Sequence, residues 1–549
     1  MRNKLILLIL IVFMLALVSC DKVQEEDPTL EANEVIDVNT SNMFEQSDEV
    51  TESSNFTQMK NNIDEKYINI KNGGSYIFEG NYDKTVIVDS NKNVVHVKLK
   101  NTKFIIEDFA AIYVKNAKKV IITLEGYNEI VINNSFIFID ENNVDSAIFS
   151  KSELVINGTG NLDIDSTGNG ICSKDTLKIM NGNIKMYVDN HGIDANDSIR
   201  IKNVNLDILA RFDGIHCANI TDLTLGFIYI ENGNFIIKSG SDGISASNYL
   251  YIENINLKVS NDTGIAIADT YSKKGIKSTS DLIIKNGNVE IDTIDDAIHS
   301  NKSIKILDGI YVLRSDDDGI HADASVIINN GNIEILNSYE GIEAQNVSIN
   351  NGNISIHSLD DGVNCAGGMD QTENQKPGHG PDQFDKDEDA FIVINNGSLY
   401  INANGDGIDS NGYIEINGGN VIIEGPISNG NSSIDYGISA SIKNADLISV
   451  GSSGMASNFT DSNQGVIMYN TSKSYDSETK IKLLDEKGKV IIEFETTKSF
   501  SSIIISNNKI EKDKTYKLVV STDEYEVTLN SLIYSNGGGM GRPAVPKPR

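Results

Sequence analysis

From about Tyr67 onward the chain runs in short bursts of alternating apolar and polar residues, such as Tyr67-Ile68-Asn69-Ile70, Ile333-Glu334-Ile335 and Ile354-Ser355-Ile356, with apolar runs such as Val86-Ile87-Val88 and Val326-Ile327-Ile328 between them. Alternation with a period of two predicts short β-strands with one side buried; the 3.6-residue pattern of a helix is missing. Turn dipeptides punctuate the bursts: Asn181-Gly182, Asn232-Gly233, Asn286-Gly287, Asp308-Gly309, Asn330-Gly331, Asn351-Gly352, Asn396-Gly397 and Asn417-Gly418.

A second motif keeps step with these turns. Asp295-Asp296-Ala297-Ile298-His299 returns as Asp317-Asp318-Gly319-Ile320-His321, Glu340-Gly341-Ile342-Glu343 and Asp360-Asp361-Gly362-Val363-Asn364. Its glycine or alanine recurs at 147, 170, 192, 214, 243, 275, 297, 319, 341, 362, 407 and 437, most steps being 21 to 23 residues. A fixed period of this length marks a repeat array in which each unit buries its apolar face against the next. The expected fold is all-β: a parallel β-helix with three short strands and three corners per coil of 21–22 residues. Right-handed crossovers are the general rule for parallel strands, so a right-handed helix is expected. Three residues after the repeat glycine stand Ser173, Ala195, Cys217, Ala246, Ser300, Ala322, Ala344, Cys365 and Ser410, a column of small inward residues in which the two cysteines are core fillers. Cys172 falls one position earlier, on the face expected to point outward.

The array divides the chain. Residues 21–66 are acidic and poor in apolar residues, a tether with too little to bury. Residues 67–450 hold the repeats, interrupted by the polar segment 366–390, a long loop beside the densest acidic coils and a candidate wall of a binding site. After Gly451 the period is lost. Lys480-Ile481-Lys482-Leu483, Val490-Ile491-Ile492-Glu493, Ile503-Ile504-Ile505 and Tyr516-Lys517-Leu518-Val519 predict a small antiparallel sheet over 451–534, capping the open end of the array, with a tail at 535–549.

Charge narrows the partners. Against 46 Lys plus Arg stand 78 Asp plus Glu, a net charge of −32. Such a surface argues against nucleic acid and anionic membranes, and suits divalent cations. Residues 1–20 carry Arg2 and Lys4, an apolar run from Leu5 to Val18, and then Ser19-Cys20, a segment that resembles the bacterial lipoprotein signal in which Cys20 takes the lipid. The expected location is extracellular, with the membrane reached only through that anchor and the chain acting as a monomer.

Stacking the repeats raises an electrostatic problem. Equivalent carboxylates in adjacent strands lie about 4.8 Å apart, too close to stay ionised together unaided, so either some hold protons or a cation sits among them. The densest text runs through Asp360-Asp361-Gly362-Val363-Asn364-Cys365-Ala366-Gly367-Gly368, Gly405-Asp406-Gly407-Ile408-Asp409-Ser410-Asn411-Gly412, Gly418-Gly419-Asn420-Val421 and Gly451-Ser452-Ser453-Gly454-Met455. In these residues the chain resembles a family of secreted bacterial carbohydrate-binding proteins with a right-handed parallel β-helix that bind cellulose and acidic pectic sugars. That family is similar to the calcium-dependent pectate lyases, which hold calcium with aspartates from neighbouring coils.

The resemblance implies Ca2+ held by Asp295, Asp296, Asp317, Asp318, Glu340, Glu343, Asp360, Asp361, Asp406 and Asp409, hard oxygen donors with room for water or a sugar carboxylate. His299, His321 and Asn364 occupy the outward position three residues after the acid and are candidates for sugar contact, though the histidines need no role beyond packing. A lyase would also need a base; Lys302 and Arg314 are nearby, but neither stands in the outward column. The expectation is a non-catalytic, calcium-assisted binder of plant cell-wall polysaccharide, with a calcium-dependent polysaccharide lyase and a surface adhesin as alternatives.

Overall fold

Isoleucines at the position after the repeat glycine stack in one ladder. Ile171 pairs with Ile193, then Ile215, Ile244, Ile276, Ile298, Ile320, Ile342, Val363, Ile408 and Ile434 follow, each strand parallel to the last. All are buried. Each contributes about 1.5–3 kcal/mol of burial, and β-branched side chains suit the pleat. The glycine before them is needed for approach: a Cβ on Gly362 would lie 2.5 Å from the carbonyl oxygen of Gly407 and 2.4 Å from Ile401 Cγ2. The ladder also corrects the end of the repeat text. Ile408 pairs with Ile434, so the last equivalent of the glycine is Ser433 and not Gly437.

The computed structural model describes residues 35–53, 55–61, 65–264, 268, 270–365 and 386–537. Cys20 and most of the 366–390 loop lie outside these residues. The described residues belong to one compact unit.

The expected open right-handed β-helix with an antiparallel cap is overturned by the strand pairings. Val94–Ile106 pairs with Lys119–Glu125, which pairs with Glu153–Gly158, then Thr176–Met180 and Ser198–Ala210. Ser198–Ala210 pairs in turn with Asn183–Val188, which leads through Asn161–Ser166 and Tyr127–Ile132 back to Val94–Ile106. The circuit is a closed ring of eight parallel strands, and the remaining strands of the 42-stranded sheet lie outside it. The cause is local. Val94–Ile106 and Ser198–Ala210 are 13 residues long and do not break at a corner. Asn101 (φ 49°) and Asn203 (φ 57°) bend them instead. Asparagine enters the left-handed region more easily than other residues with a Cβ, so each of these strands serves two neighbours on one side and a single bent strand on the other.

The C-terminal region is also not a separate cap. Phe500–Asn507 pairs antiparallel with Ala445–Gly451 and with Gly465–Tyr475, and Ile533–Ser535 joins the latter in parallel, all within the main sheet. Lys480–Leu484, Val490–Glu495, Thr515–Val520 and Asp523–Thr528 form a second, four-stranded antiparallel sheet. Ile448 and Val450 share a buried cluster with Ile503, Ile505 and Leu518, so the open edge of Ala445–Gly451 is used as the seat of the next strand.

Part of the acidic segment expected as a tether lies against the sheet. Buried Asp48 receives Lys119 Nζ at 2.7 Å and Lys178 Nζ at 2.8 Å, and Phe44 packs on Ile121, Val155 and Met180. Two buried lysines on that face need counter-charges, and Asp48 supplies one while Glu153, which also pairs with both lysines, supplies another.

Candidate functional site

The recurrent acid has a structural task that uses half of it. Asp296 Oδ1 accepts the backbone N–H of Asp318 (3.0 Å), Asp318 Oδ1 that of Glu340 (3.2 Å) and Asp361 Oδ1 that of Asp406 (2.5 Å); Asp406 Oδ1 accepts the N–H of Ser432. These four aspartates thus tie down the next repeat with one oxygen and keep the other for their surroundings, whereas Glu340 accepts from the Asn364 side chain instead. Three residues later a second side chain faces the same side. In register these run Cys172, Asp194, His216, Ser245, Lys277, His299, His321, Glu343, Asn364, Asp409 and Asp435.

The ten carboxylates expected as metal ligands fall into groups with different surroundings. Asp295, Asp296 and Asp317 bring their oxygens within 4.8 Å of one another, but Lys274 Nζ reaches Asp295 Oδ1 at 2.7 Å and Asp296 Oδ2 at 2.6 Å. His299 Nδ1 adds a contact to Asp296 Oδ2 at 2.8 Å. Burial pushes Asp296 up, but His299 and Lys274 outweigh it and hold the carboxyl below its usual range. One repeat on, His321 Nδ1 lies 3.0 Å from Asp318 Oδ2 and 2.8 Å from Glu343 Oε2. Burial opposes the imidazolium, yet the surrounding carboxylates raise its pKa and keep it charged. His299 and His321 are both buried and stack on each other, centroids 5.0 Å apart at 17°.

The third group holds no cation of its own. Oxygens of Asp361, Asp406 and Asp409 lie within 4.8 Å of one another, and among the described residues no lysine, arginine or histidine forms an ion pair with them. Burial, then the charge of Asp361 and Asp409, raises Asp406 to about 9; burial and then Asp435 raise Asp409 to about 7. Asp361 is raised as well, by burial and by Asp409 and Asp360. Asn364 stands between Glu343 and Asp409 in the strand register. Its Nδ2 donates to Glu340 Oε2 at 2.8 Å, while its Oδ1 is buried without a partner. Burial also raises Glu340, with Glu343 and Asp318 next. Gly405 is the floor of this group: a Cβ there would lie 2.3 Å from Oδ1 of both Asp360 and Asp361.

Lys302 and Arg314 do not join these groups. Lys302 Nζ pairs with Asp281 Oδ2 at 2.8 Å, and Arg314 sits exposed on the strand Ile310–Ser315, opposite Asp292 and Asn337. Sequence reasoning missed Lys274, Lys277 and Asp435. Asp435 was legible as Ser433-Ile434-Asp435, a Gly-Ile-Asp repeat with serine in place of glycine. Lys274 was legible as the residue before Gly275, where other repeats place an acid.

The architecture and this graded row of side chains can now be set beside known proteins. A family model described as "Carbohydrate-binding domain-containing protein" matches residues 64–319 and 301–376. A carbohydrate-binding domain-containing protein of Acetivibrio thermocellus is 32% identical over 210 residues, covering 36% of this chain and 72% of that protein. A solved structure, the polysaccharide lyase-like protein from C. thermocellum as a gadolinium derivative, is 30% identical, covers 36% of this chain and 83% of its own, and gives a TM-score of 0.35. With more than half of its length matched by the family model, this chain belongs to the family of carbohydrate-binding domain-containing proteins.

Proposed function

We propose that the protein is a cell-surface, lipid-anchored binder of plant cell-wall polysaccharide, acidic pectic sugars or cellulose, in which Ca2+ at Asp361, Asp406 and Asp409 bridges the chain to sugar carboxylates. The observation that carries this reading is that group of buried carboxylates, crowded within 4.8 Å and without a basic partner. A divalent ion relieves the repulsion that otherwise forces protons onto them. The donor set fits calcium, which takes six to eight hard oxygens and tolerates irregular geometry. Asn364 Oδ1, Asp360 and Asp435 stand close by in the register, and water or a uronate oxygen completes the shell. A surface of net charge −32 would otherwise repel a polyanionic glycan.

The test is a calcium titration of the full chain with and without chelator, followed by pull-down on polygalacturonate and on cellulose. Capture on polygalacturonate that needs calcium and is lost in Asp406→Asn/Asp409→Asn supports the reading. Capture indifferent to both chelator and substitution overturns it. Ultraviolet absorbance of unsaturated products during the same incubation would turn the binder into a lyase.

A further inference from the structure

Each pair of successive repeats builds the same four-position slot from two corner residues and two residues three places further on. At Asp361, Asn364, Asp406 and Asp409 the slot is all oxygen. Near the other end of the row the same four places hold His191, Asp194, Asp213 and His216. Gly170 and Gly192 donate their N–H groups to the carbonyls of His191 and Asp213, which sets those two at successive corners, and Asp194 pairs with His216 in strand register. The result is a diagonal alternation, His and Asp over Asp and His.

The geometry of this slot is closed on one side and open on the other. His191 and His216 stack with centroids 4.8 Å apart at 18°. His216 Nδ1 lies 2.9 Å from Asp194 Oδ1, and His191 Nδ1 lies 3.4 Å from Asp213 Oδ2. One donor atom from each of His191, Asp213 and His216 can be chosen within 4.8 Å of the others. The outer contacts leave these atoms available. Asp213 Oδ1 is occupied by the backbone N–H of Asp242 at 3.0 Å, while Asp194 Oδ2 is held by Lys174 Nζ and Cys172 Sγ, each at 3.2 Å. That leaves Asp213 Oδ2 for the slot, with Asp194 Oδ1 turned to His216. His191 Nδ1 accepts the backbone N–H of Asp213 at 3.2 Å, so this nitrogen carries a lone pair on the side of Asp213. The imidazoles are also reachable: their side chains are 25% and 29% exposed, against 2% for His299 and His321.

We infer that His191, Asp213 and His216 form a transition-metal site of the Zn2+ class, separate from the all-carboxylate group, with Asp194 holding the His216 ring in place. Two imidazole nitrogens and one carboxylate oxygen, with a fourth position open to water, are a borderline-soft donor set that suits zinc and its neighbours in the first transition row, and zinc in protein sites is commonly tetrahedral. Calcium prefers oxygen alone and gains little from the two rings. On binding, the Asp194 contact to Nδ1 fixes the His216 ring, while at His191 the metal displaces the bond from the Asp213 N–H. Lys274 and Lys277, two repeats further along, separate this slot from the carboxylate groups.

The experiment is a Co2+ titration of the full chain in excess Ca2+, read by the visible absorption of the bound ion and chased with Zn2+. One saturable equivalent displaced by Zn2+ is expected, with affinity falling by about a hundredfold or more in His191→Ala/His216→Ala and unchanged in Asp406→Asn/Asp409→Asn. Circular dichroism of the metal-free variants checks the fold; if the double variant does not fold, His191→Gln, which keeps the bulk of the ring, must show the loss. A titration with no visible band, binding indifferent to the histidine substitutions, or binding abolished by the carboxylate pair overturns the inference.

Discussion

Two stretches of the acidic row, Asp295 to Glu343 and Asp361 to Asp435, share a repeat and a corner hydrogen bond and differ in what neutralises them. In the first, Lys274 sits against Asp295 and Asp296, His299 against Asp296, and His321 between Asp318 and Glu343. In the second, Asn364 takes the place of a histidine, and Asp361, Asp406 and Asp409 face one another. The same fold therefore gives the first stretch cations of its own, although burial and neighbouring carboxylates still hold Asp318 and Glu340 well above the usual carboxylate range, and gives Asp361, Asp406 and Asp409 none among the described residues. The group without a cation gives the stronger reason for an ion from outside to bind.

The sharpest way to break this contrast is Lys274→Met. Removing the cation from two paired carboxylates strands buried charge and is expected to cost about 3–5 kcal/mol in urea denaturation. The counterpart, Asp409→Asn in chelator, should cost nothing or stabilise, because it removes a repelling charge. Equal losses in the two variants would erase the distinction.

Calcium supplies the next largest effect. At about a hundred times its dissociation constant it should add about 2.7 kcal/mol to the wild type, and most of that gain should vanish in Asp406→Asn/Asp409→Asn while persisting in His299→Phe. A differential scanning measurement decides it.

A pH dependence also separates the stretches. Asp409 at about 7 and Asp406 at about 9 both titrate above the ordinary carboxylate value of 3.8, so the folded state holds protons that the unfolded chain has released. Their contribution to stability is present in full below about pH 4 and is lost as the pH rises through 7 and then 9, with a slope of at most about 1.4 kcal/mol per pH unit per group. In chelator the melting temperature should fall across the interval between the two titrations, and saturating calcium, by replacing the protons, should flatten the fall. Asp296 has the opposite sign: its lowered pKa gives stability that is present above the ordinary value and lost in acid. The smallest effect is expected from Lys302→Ala, which lies outside both stretches on Asp281 and should leave polysaccharide capture unchanged.

Much of this contrast was legible in the sequence, and the missing parts have physical reasons. The period, the turn asparagines and the small inward residues Ala195, Cys217 and Ala246 all fall where the strand register places them. The closure of the sheet was not legible. An Asn-containing corner reads the same whether it ends a strand or bends one through a left-handed residue, and at Asn101 and Asn203 it bends. The acidic column was legible as crowding. Its division into a part with cations and a part without depended on Lys274, which stands before Gly275 where other repeats place an acid and so breaks the acidic pattern itself. Cys172 was placed on the outward face and is there, beside Asp194, yet it is buried.

The single oxygen that the corner aspartates spend on the next repeat has a consequence for how such a chain can change. Foldability is secured by an atom that never enters the recognition surface, so the residue three places on can be exchanged without renegotiating the backbone. Duplicating a repeat copies a vacant address, and one codon then decides whether it will read nitrogen, oxygen or positive charge.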